Sequence, residues 1–263
     1  MQADDTLDHR ASGEGRGANM MRRAGEELKD LPRTLIGAFV VYLAVTTAAF
    51  ANYSIPSESM TPTLEVGDRV VVSKMAYGYS RHSLPLNLGF LLPPEQHRLF
   101  EHMPARGDVV VFVHPIEGKV MIKRLIGLPG DVIEVRGGRL SINGAPVQLS
   151  GGEPLVRRAY EHGLESAIRY EETLPNGVRH PIHQFPSGNE FDNFGPYTVP
   201  PGMVFFMGDN RDNSLDSRYA GMGPVPIENL IGKAETVYFA GRSCDRNVGV
   251  SCPQPRWLRP MHD

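Results

Sequence analysis

Beyond residue 68 the chain is cut into short β-branched runs closed by Gly, Pro or Asp, and this punctuation leaves few folds open. Arg69–Ser73, Asp108–Val113 and Val132–Val135 are too short for helices and rich in valine. Arg139–Gly144 alternates apolar and polar residues and ends in Asn143-Gly144, a strong hairpin signal. Val199–Met207 repeats the theme around Pro200-Pro201-Gly202. The 28 Gly and 22 Pro are scattered, as turns between many strands require. Helical periodicity is weak here, with short helical turns expected only near Leu155–Ile168 and Ile227–Leu230. The pattern predicts a mainly β fold, with an antiparallel sheet core over 54–150 and 196–240. A polar, turn-rich stretch, 151–195, reads as a smaller β-rich lobe inserted between the halves of the core. The Pro-rich segment 241–263 reads as irregular.

Before the strands lies an apolar run, Leu35 to Ala51, without Asp, Glu, Lys or Arg. As a helix, these 17 residues reach roughly 26 Å, and extension over 34–53 approaches a ~30 Å hydrocarbon core. Arg22, Arg23, Lys29 and Arg33 precede it, and Arg69 is the first basic residue after it. The positive-inside bias therefore predicts one transmembrane anchor at 34–53, a cytoplasmic tail at 1–33, and the remaining chain outside. Two alternatives compete: a buried soluble helix, and a cleaved signal peptide, for which Ala49-Phe50-Ala51 has the small-residue pattern. The long preceding polar region, with Glu26, Glu27 and Asp30, favours a retained anchor.

A formal net charge of −3, without a long basic stripe, gives no reason to expect nucleic acid as a partner. Two cysteines are too few for a disulfide framework. If Cys244 and Cys252 lie outside the cytoplasm they can close a short C-terminal loop, with the reduced pair as the alternative.

Chemistry-bearing residues gather in three segments. Ser59 sits in Ile55-Pro56-Ser57-Glu58-Ser59-Met60-Thr61-Pro62-Thr63-Leu64, where two prolines restrict the backbone on both sides. A serine hydroxyl needs a base, and neither a Gly-x-Ser-x-Gly elbow nor a His-Glu-x-x-His pair occurs. His180-Pro181-Ile182-His183 offers only two ligands interrupted by proline, so no metal or other cofactor is expected.

The second segment is Val120–Gly127, whose strand alternation puts Met121, Lys123 and Leu125 on one face. A buried lysine loses its proton more readily and can act as a base. A solvated or edge-strand lysine explains the same pattern, and from this strand alone it is the better explanation. The third segment is Met207–Arg218, dense in Asp, Asn, Arg and Ser. It reads either as a hydrogen-bonded turn cluster with an Asp216–Arg218 ion pair or as part of a site. No mid-loop Gly or closing acidic residue suits a calcium loop.

In order, these segments resemble bacterial type I signal peptidase, also called leader peptidase. The resemblance rests on the apolar run and Pro56–Leu64, then Gly67-Asp68, Arg106–Phe112, Ile122–Asp131 and Gly208–Arg218. It covers about 55–235 in separated blocks. The resemblance implies a membrane-bound serine endopeptidase with a Ser/Lys dyad, cleaving N-terminal signal peptides from exported precursor proteins. Ser59 would be the nucleophile and neutral Lys123 the general base. Ser57 and the Ser59 backbone N–H would form the oxyanion hole, Ser214 would orient the lysine, and Asp216 and Arg218 would support it. Glu58 stands where many relatives carry Gly, and either alters substrate contacts or points to solvent. The expected partners are secretory precursors and the lipid bilayer of the inner (plasma) membrane, with the enzyme a monomer. The precursor strand is expected to add to a sheet edge, and apolar Leu88–Leu92 either dips into the interface or packs as a core turn. Two further readings are a Ser/Lys peptidase specialised for one precursor and a non-catalytic anchored β-domain that binds partner strands.

Overall fold

The computed structural model describes residues 32–46, 48–84, 90, 98–159, 163–186, 188–240 and 258–261. They form two separate units, divided between Thr47 and Ala48. In the first, residues 32–46 are helical. Their apolar side chains are exposed, with Leu35, Ile36, Phe39 and Val41 each about 60% accessible. Among the described residues no helix is long and apolar enough to cross a membrane.

The second unit is almost entirely antiparallel β. Its main sheet has β1 (Phe50–Ser54), β2 (Arg69–Ser73), β5 (Val109–Val113), β6 (Val120–Gly127), β14 (Met203–Met207), β15 (Val225–Pro226) and β16 (Leu230–Phe239). Their order is β1-β2-β16-β5-β6-β14-β15, with β17 (Arg259–Pro260) paired to β16. A pair of short strands, β3 (Tyr79–Ser80) and β4 (Arg98–Leu99), stands apart. A four-stranded sheet of order β13-β7-β8-β9 joins β7 (Val132–Arg136), β8 (Arg139–Ile142), β9 (Ala145–Pro146) and β13 (Phe194–Thr198). The expected Asn143-Gly144 turn closes β8 to β9, with both residues at positive φ, 55° and 78°.

Burial follows the valine runs. Val70 and Val72 of β2, and Val109 and Val111 of β5, pack with Ile55, Met60, Leu64 and Val237 in one core cluster. Val110, Phe112, Leu125 and Phe206 belong to a second, in which the Phe112 and Phe206 rings stack at 4.3 Å. A third, with Ile126, Ile133, Leu140 and Phe205, joins the four-stranded sheet to the main one.

The structure departs from the expected segment boundaries in four places. Phe50–Tyr53, assigned above to the anchor, instead form β1, with Phe50 opposite Ser73 and Tyr53 opposite Val70. An apolar run that satisfies a helix also satisfies a strand when a pairing partner exists. The described residues of the stretch 155–168 hold no helical turn. They lie in a long hairpin of β10 (Gln148–Ala159) and β11 (Gly163–Thr173), to which β12 (Arg179–Gln184) adds a third strand. This sheet begins before the expected lobe boundary, at Gln148, while Phe194 already belongs to β13, paired with β7. Finally, Arg259–Pro260 of the irregular tail pair with Thr236 and Val237, covering backbone groups of β16 beyond the end of β5. The helical turn expected near Ile227–Leu230 is present as a single 3-10 turn, Ile227–Asn229. Residues 1–31, Cys244, Cys252 and all of Leu88–Leu92 except Phe90 lie outside the described residues; Phe90 is 75% exposed.

Candidate active site

The loop carrying Ser59 spans β1 and β2 and is closed at its base. Ile55 N–H donates to the Asp68 carbonyl at 2.8 Å, and Gly67 N–H donates back to the Ile55 carbonyl at 2.8 Å. Met60 and Leu64 are wholly buried in the first core cluster, so the residues after Ser59 are plugged into the core. A turn bond from Thr61 N–H to the Glu58 carbonyl, 3.0 Å, fixes the peptide on the other side. Ser57 Oγ lies 3.4 Å from Ser59 Oγ.

Lys123 comes from the middle of β6, opposite Val110 of β5. It is 2% exposed, and its Nζ is hydrogen-bonded to Ser59 Oγ. Burial pushes its pKa down to about 8, against the opposing pull of Asp216 and Asp209 and with help from Arg218. The burial condition that the strand alone could not settle is therefore met.

The segment after β14 wraps both groups. Asn210 N–H donates to the Ser59 carbonyl at 3.1 Å, and Asn210 Nδ2 donates to the Glu58 carbonyl at 3.2 Å. Gly208 N–H donates to Asp216 Oδ2 at 3.0 Å, and Arg218 grips Asp216 through Nε (2.9 Å) and Nη2 (2.8 Å). Burial raises the Asp216 carboxyl, but the Arg218 charge and these hydrogen bonds outweigh it and hold it below the ordinary carboxylate range. Ser214 is 3% exposed, and its Oγ has no hydrogen-bond partner among the described residues. It packs where Gly208 leaves room: a Cβ at 208 would stand 2.2 Å from Ser214 Oγ and 2.4 Å from the Ser59 carbonyl oxygen. All six residues singled out in the sequence thus lie on three segments packed at one place, although Ser214 makes no bond to the Lys123 amine.

Arg124, Asp209, Arg211 and Glu172 of the cluster had no individual signal in the sequence. Arg124, next to Lys123, forms a bidentate pair with Asp209, Nε–Oδ1 2.8 Å and Nη2–Oδ2 2.7 Å, and donates to the Gly107 carbonyl at 2.8 Å. Arg211 forms a second fork with Glu172 of β11, one arm at 2.7 Å. On β12, His180 Nε2 lies 3.2 Å from Glu172, and the His183 backbone bonds to Asp209 and Arg211. Burial lowers the pKa of both histidines, that of His183 to about 4, and neither is hydrogen-bonded to Ser59. Glu58, expected either to meet substrate or to face water, is 7% exposed and lies against Arg157 of β10. Among the described residues no group of three or more His, Cys, Asp or Glu is placed to hold a metal.

Comparison with known proteins gives the cluster a context. The family model described as signal peptidase, peptidase S26, matches residues 28–239. A signal peptidase I of Rickettsia typhi is 35% identical over 219 residues, covering 80% of this chain and 80% of its own. A signal peptidase I of Rickettsia canadensis is 36% identical over 224 residues, covering 81% and 82%. Among solved structures, a signal peptidase I from Enterococcus faecalis V583 is 26% identical, with a TM-score of 0.31, covering 50% of this chain and 97% of that one.

Proposed function

The chain belongs to the signal peptidase family, peptidase S26, and is a serine endopeptidase of the signal peptidase I kind; from that premise we propose that Ser59 and Lys123 are its catalytic dyad. Its substrates are precursors bearing signal peptides. The observation that carries the dyad is the hydrogen bond between the Lys123 amine and Ser59 Oγ in a water-excluded position.

In the proposed reaction the neutral Lys123 amine takes the proton of Ser59 as Oγ attacks the scissile carbonyl carbon. Negative charge then collects on the former carbonyl oxygen. Ser57 Oγ and the Ser59 N–H stabilise it, a role supported by the 3.4 Å spacing of the two hydroxyls. Collapse breaks the C–N bond, and the Lys123 ammonium returns its proton to the leaving amine. An ester on Ser59 remains. Lys123, neutral again, takes a proton from water, whose oxygen attacks the ester and restores Ser59. Ser214 orients the lysine in this reading, supported by its buried, unpartnered hydroxyl beside Gly208 and the Ser59 loop. Asp216 and Arg218 hold the turn that carries it.

We assign the apolar segment that contains the helix at 32–46 as a single-pass membrane anchor, with the N-terminus cytoplasmic and the catalytic unit on the outer side of the plasma membrane. Side chains such as Phe39 and Val41, about 60% exposed, would not stay in water as a contiguous face. Ser59 follows that segment closely in sequence, so a precursor whose apolar segment still lies in the bilayer can present its cleavage site there. The three-stranded sheet β10-β11-β12 forms the inserted lobe, and the enzyme acts as a monomer.

Detergent-solubilised full-length enzyme and a precursor ending its signal peptide in Ala-x-Ala provide the test. Wild type should cleave after the second Ala, and Ser59→Ala and Lys123→Ala should abolish cleavage with near-native circular dichroism. Lys123→Arg should also fail, because a guanidinium stays protonated. A kcat/KM for Lys123→Arg within tenfold of wild type would refute the assigned base.

A further inference from the structure

Glu58 separates the two serines assigned above to the oxyanion site and nucleophile, and it is tied at both ends. Its carbonyl accepts from Thr61 N–H at 3.0 Å and Asn210 Nδ2 at 3.2 Å. Its carboxylate faces the Arg157 fork, with Nη1–Oε1 at 3.4 Å and Nη2–Oε2 at 3.5 Å. Arg157 is 5% exposed and is held from the other side by Glu165, its cross-strand partner on β11, at 2.6 Å. One guanidinium therefore lies between two carboxylates, one on the hairpin and one on the nucleophile loop. Sequence separation hides the arrangement, because Arg157 lies 99 residues from Glu58.

A carboxylate at residue 58 presents two physical problems. It is buried, so it needs a partner. It also flanks the place where negative charge develops when Ser59 attacks, and an uncompensated anion there would oppose the transition state. We propose that Arg157, on the lobe hairpin, is a positioning residue for the Ser59 site: it neutralises Glu58 and fixes the rotation of the 57–59 peptide. Through this pair the hairpin governs the step at Ser59 without touching the reacting atoms. The inference rests on the proposed role of Ser59.

The two residues then differ in an ordered way. Removing Arg157 takes away the cation set against Glu58, whereas removing it together with the Glu58 charge leaves no charge at residue 58 to be compensated. Steady-state cleavage of the Ala-x-Ala precursor by full-length enzyme tests this with Glu58→Gln, Arg157→Gln and the double variant. Arg157→Gln should lower kcat by about 10- to 100-fold, as expected for a small misplacement of the 57–59 peptide and the loss of a counter-charge, with KM changed by less than about threefold. Glu58→Gln should cost less, and adding it to Arg157→Gln should restore kcat to about the level of Glu58→Gln alone. A residue that only supports the fold would give additive losses and no such recovery. If Arg157→Gln unfolds, Arg157→Lys, which keeps the charge but loses the fork, and the double variant decide. The inference is overturned if Arg157→Gln stays within twofold of wild type, if the losses add, or if they appear in KM alone. Should wild type fail to cleave any signal-peptide-bearing precursor, the Ser59 reading falls and this inference with it. Should Ser59→Ala abolish a cleavage that Arg157→Gln leaves intact, only this inference falls.

Discussion

The base assigned to Ser59 makes a quantitative demand on the pH dependence of cleavage. Lys123 is the perturbed group, moved by burial from 10.5 to about 8. At pH 7 an ordinary lysine is neutral in roughly one molecule in 3,000, and one with a pKa of about 8 in roughly one in ten. Burial therefore enlarges the reactive fraction about 300-fold at that pH. If proton removal from Ser59 by this amine governs turnover, kcat/KM should fall tenfold for each pH unit below about 8 and level off above it. Between pH 6 and pH 9 the rise is about 100-fold.

The assay is continuous cleavage of an internally quenched peptide carrying Ala-x-Ala before the scissile bond, in detergent, with protein integrity checked at each pH. Histidines do not mimic the result. Burial lowers the pKa of His180 and lowers that of His183 to about 4, so a limb near 8 cannot come from either. A limb centred near 6.5, or a profile flat from pH 6 to 9, would remove Lys123 as the base. Asp216→Asn extends the test. Asp216 raises the lysine pKa and Arg218 lowers it, so loss of this carboxylate moves the limb to lower pH.

The same shift predicts a stability effect. Because the folded pKa of Lys123 lies below its unfolded value, the native state binds fewer protons between about pH 8 and 10.5, and stability rises with pH across that window. At about 1.4 kcal/mol per pH unit, the buried amine costs up to about 3 kcal/mol below pH 8. Lys123→Met should therefore be inactive yet more stable than wild type in urea at pH 7, with the advantage shrinking towards pH 10; a destabilised variant at pH 7 would contradict this. Gly208→Ala forces a Cβ to 2.4 Å from the Ser59 carbonyl oxygen and 2.2 Å from Ser214 Oγ. It should lower kcat by about 100-fold through displacement of the nucleophile loop while leaving the far-UV spectrum unchanged, and kcat within threefold of wild type would show that the loop is not tightly registered.

What the sequence revealed and concealed follows from the range of the forces involved. Arg69–Ser73, buried at alternate residues, Val109–Val113, a valine run buried on both faces, and the Asn143-Gly144 turn are set by local preferences, and each lies where the pattern put it. The hairpin of β10 and β11 is different: Arg157, Arg158, Glu165 and Arg169 charge both strands, so no clean alternation marks them. Its cross-strand pairs, such as Arg157 with Glu165, exist only once the register is formed. Lys123 presented the same difficulty on a smaller scale. Alternation along β6 placed it on a face, but burial of that face depends on β5, β14 and the Ser59 loop together. For this reason only the joint order of three distant segments, and not any one of them, pointed to the site.

The charge density of the 208–218 segment has its own logic. Three guanidinium–carboxylate pairs surround it: Arg124–Asp209, Arg211–Glu172 and Arg218–Asp216. Buried pairs add little net stability, yet loss of one partner strands a charge at a cost of about 3–5 kcal/mol, so each pair fixes a position firmly. Arg124 ties the loop to β6, Glu172 ties it to β11, and Asp216 grips the Gly208 N–H. The pairs also decide the protonation of Lys123. Two buried carboxylates, Asp216 and Asp209, would hold an unshielded ammonium in place and keep the base occupied. Because Arg218 and Arg124 already claim those carboxylates, desolvation outweighs their pull, and the amine sits at about 8 rather than at its ordinary 10.5. If Lys123 is the base for Ser59, as proposed, these arginines set how often its amine is neutral and able to accept the proton.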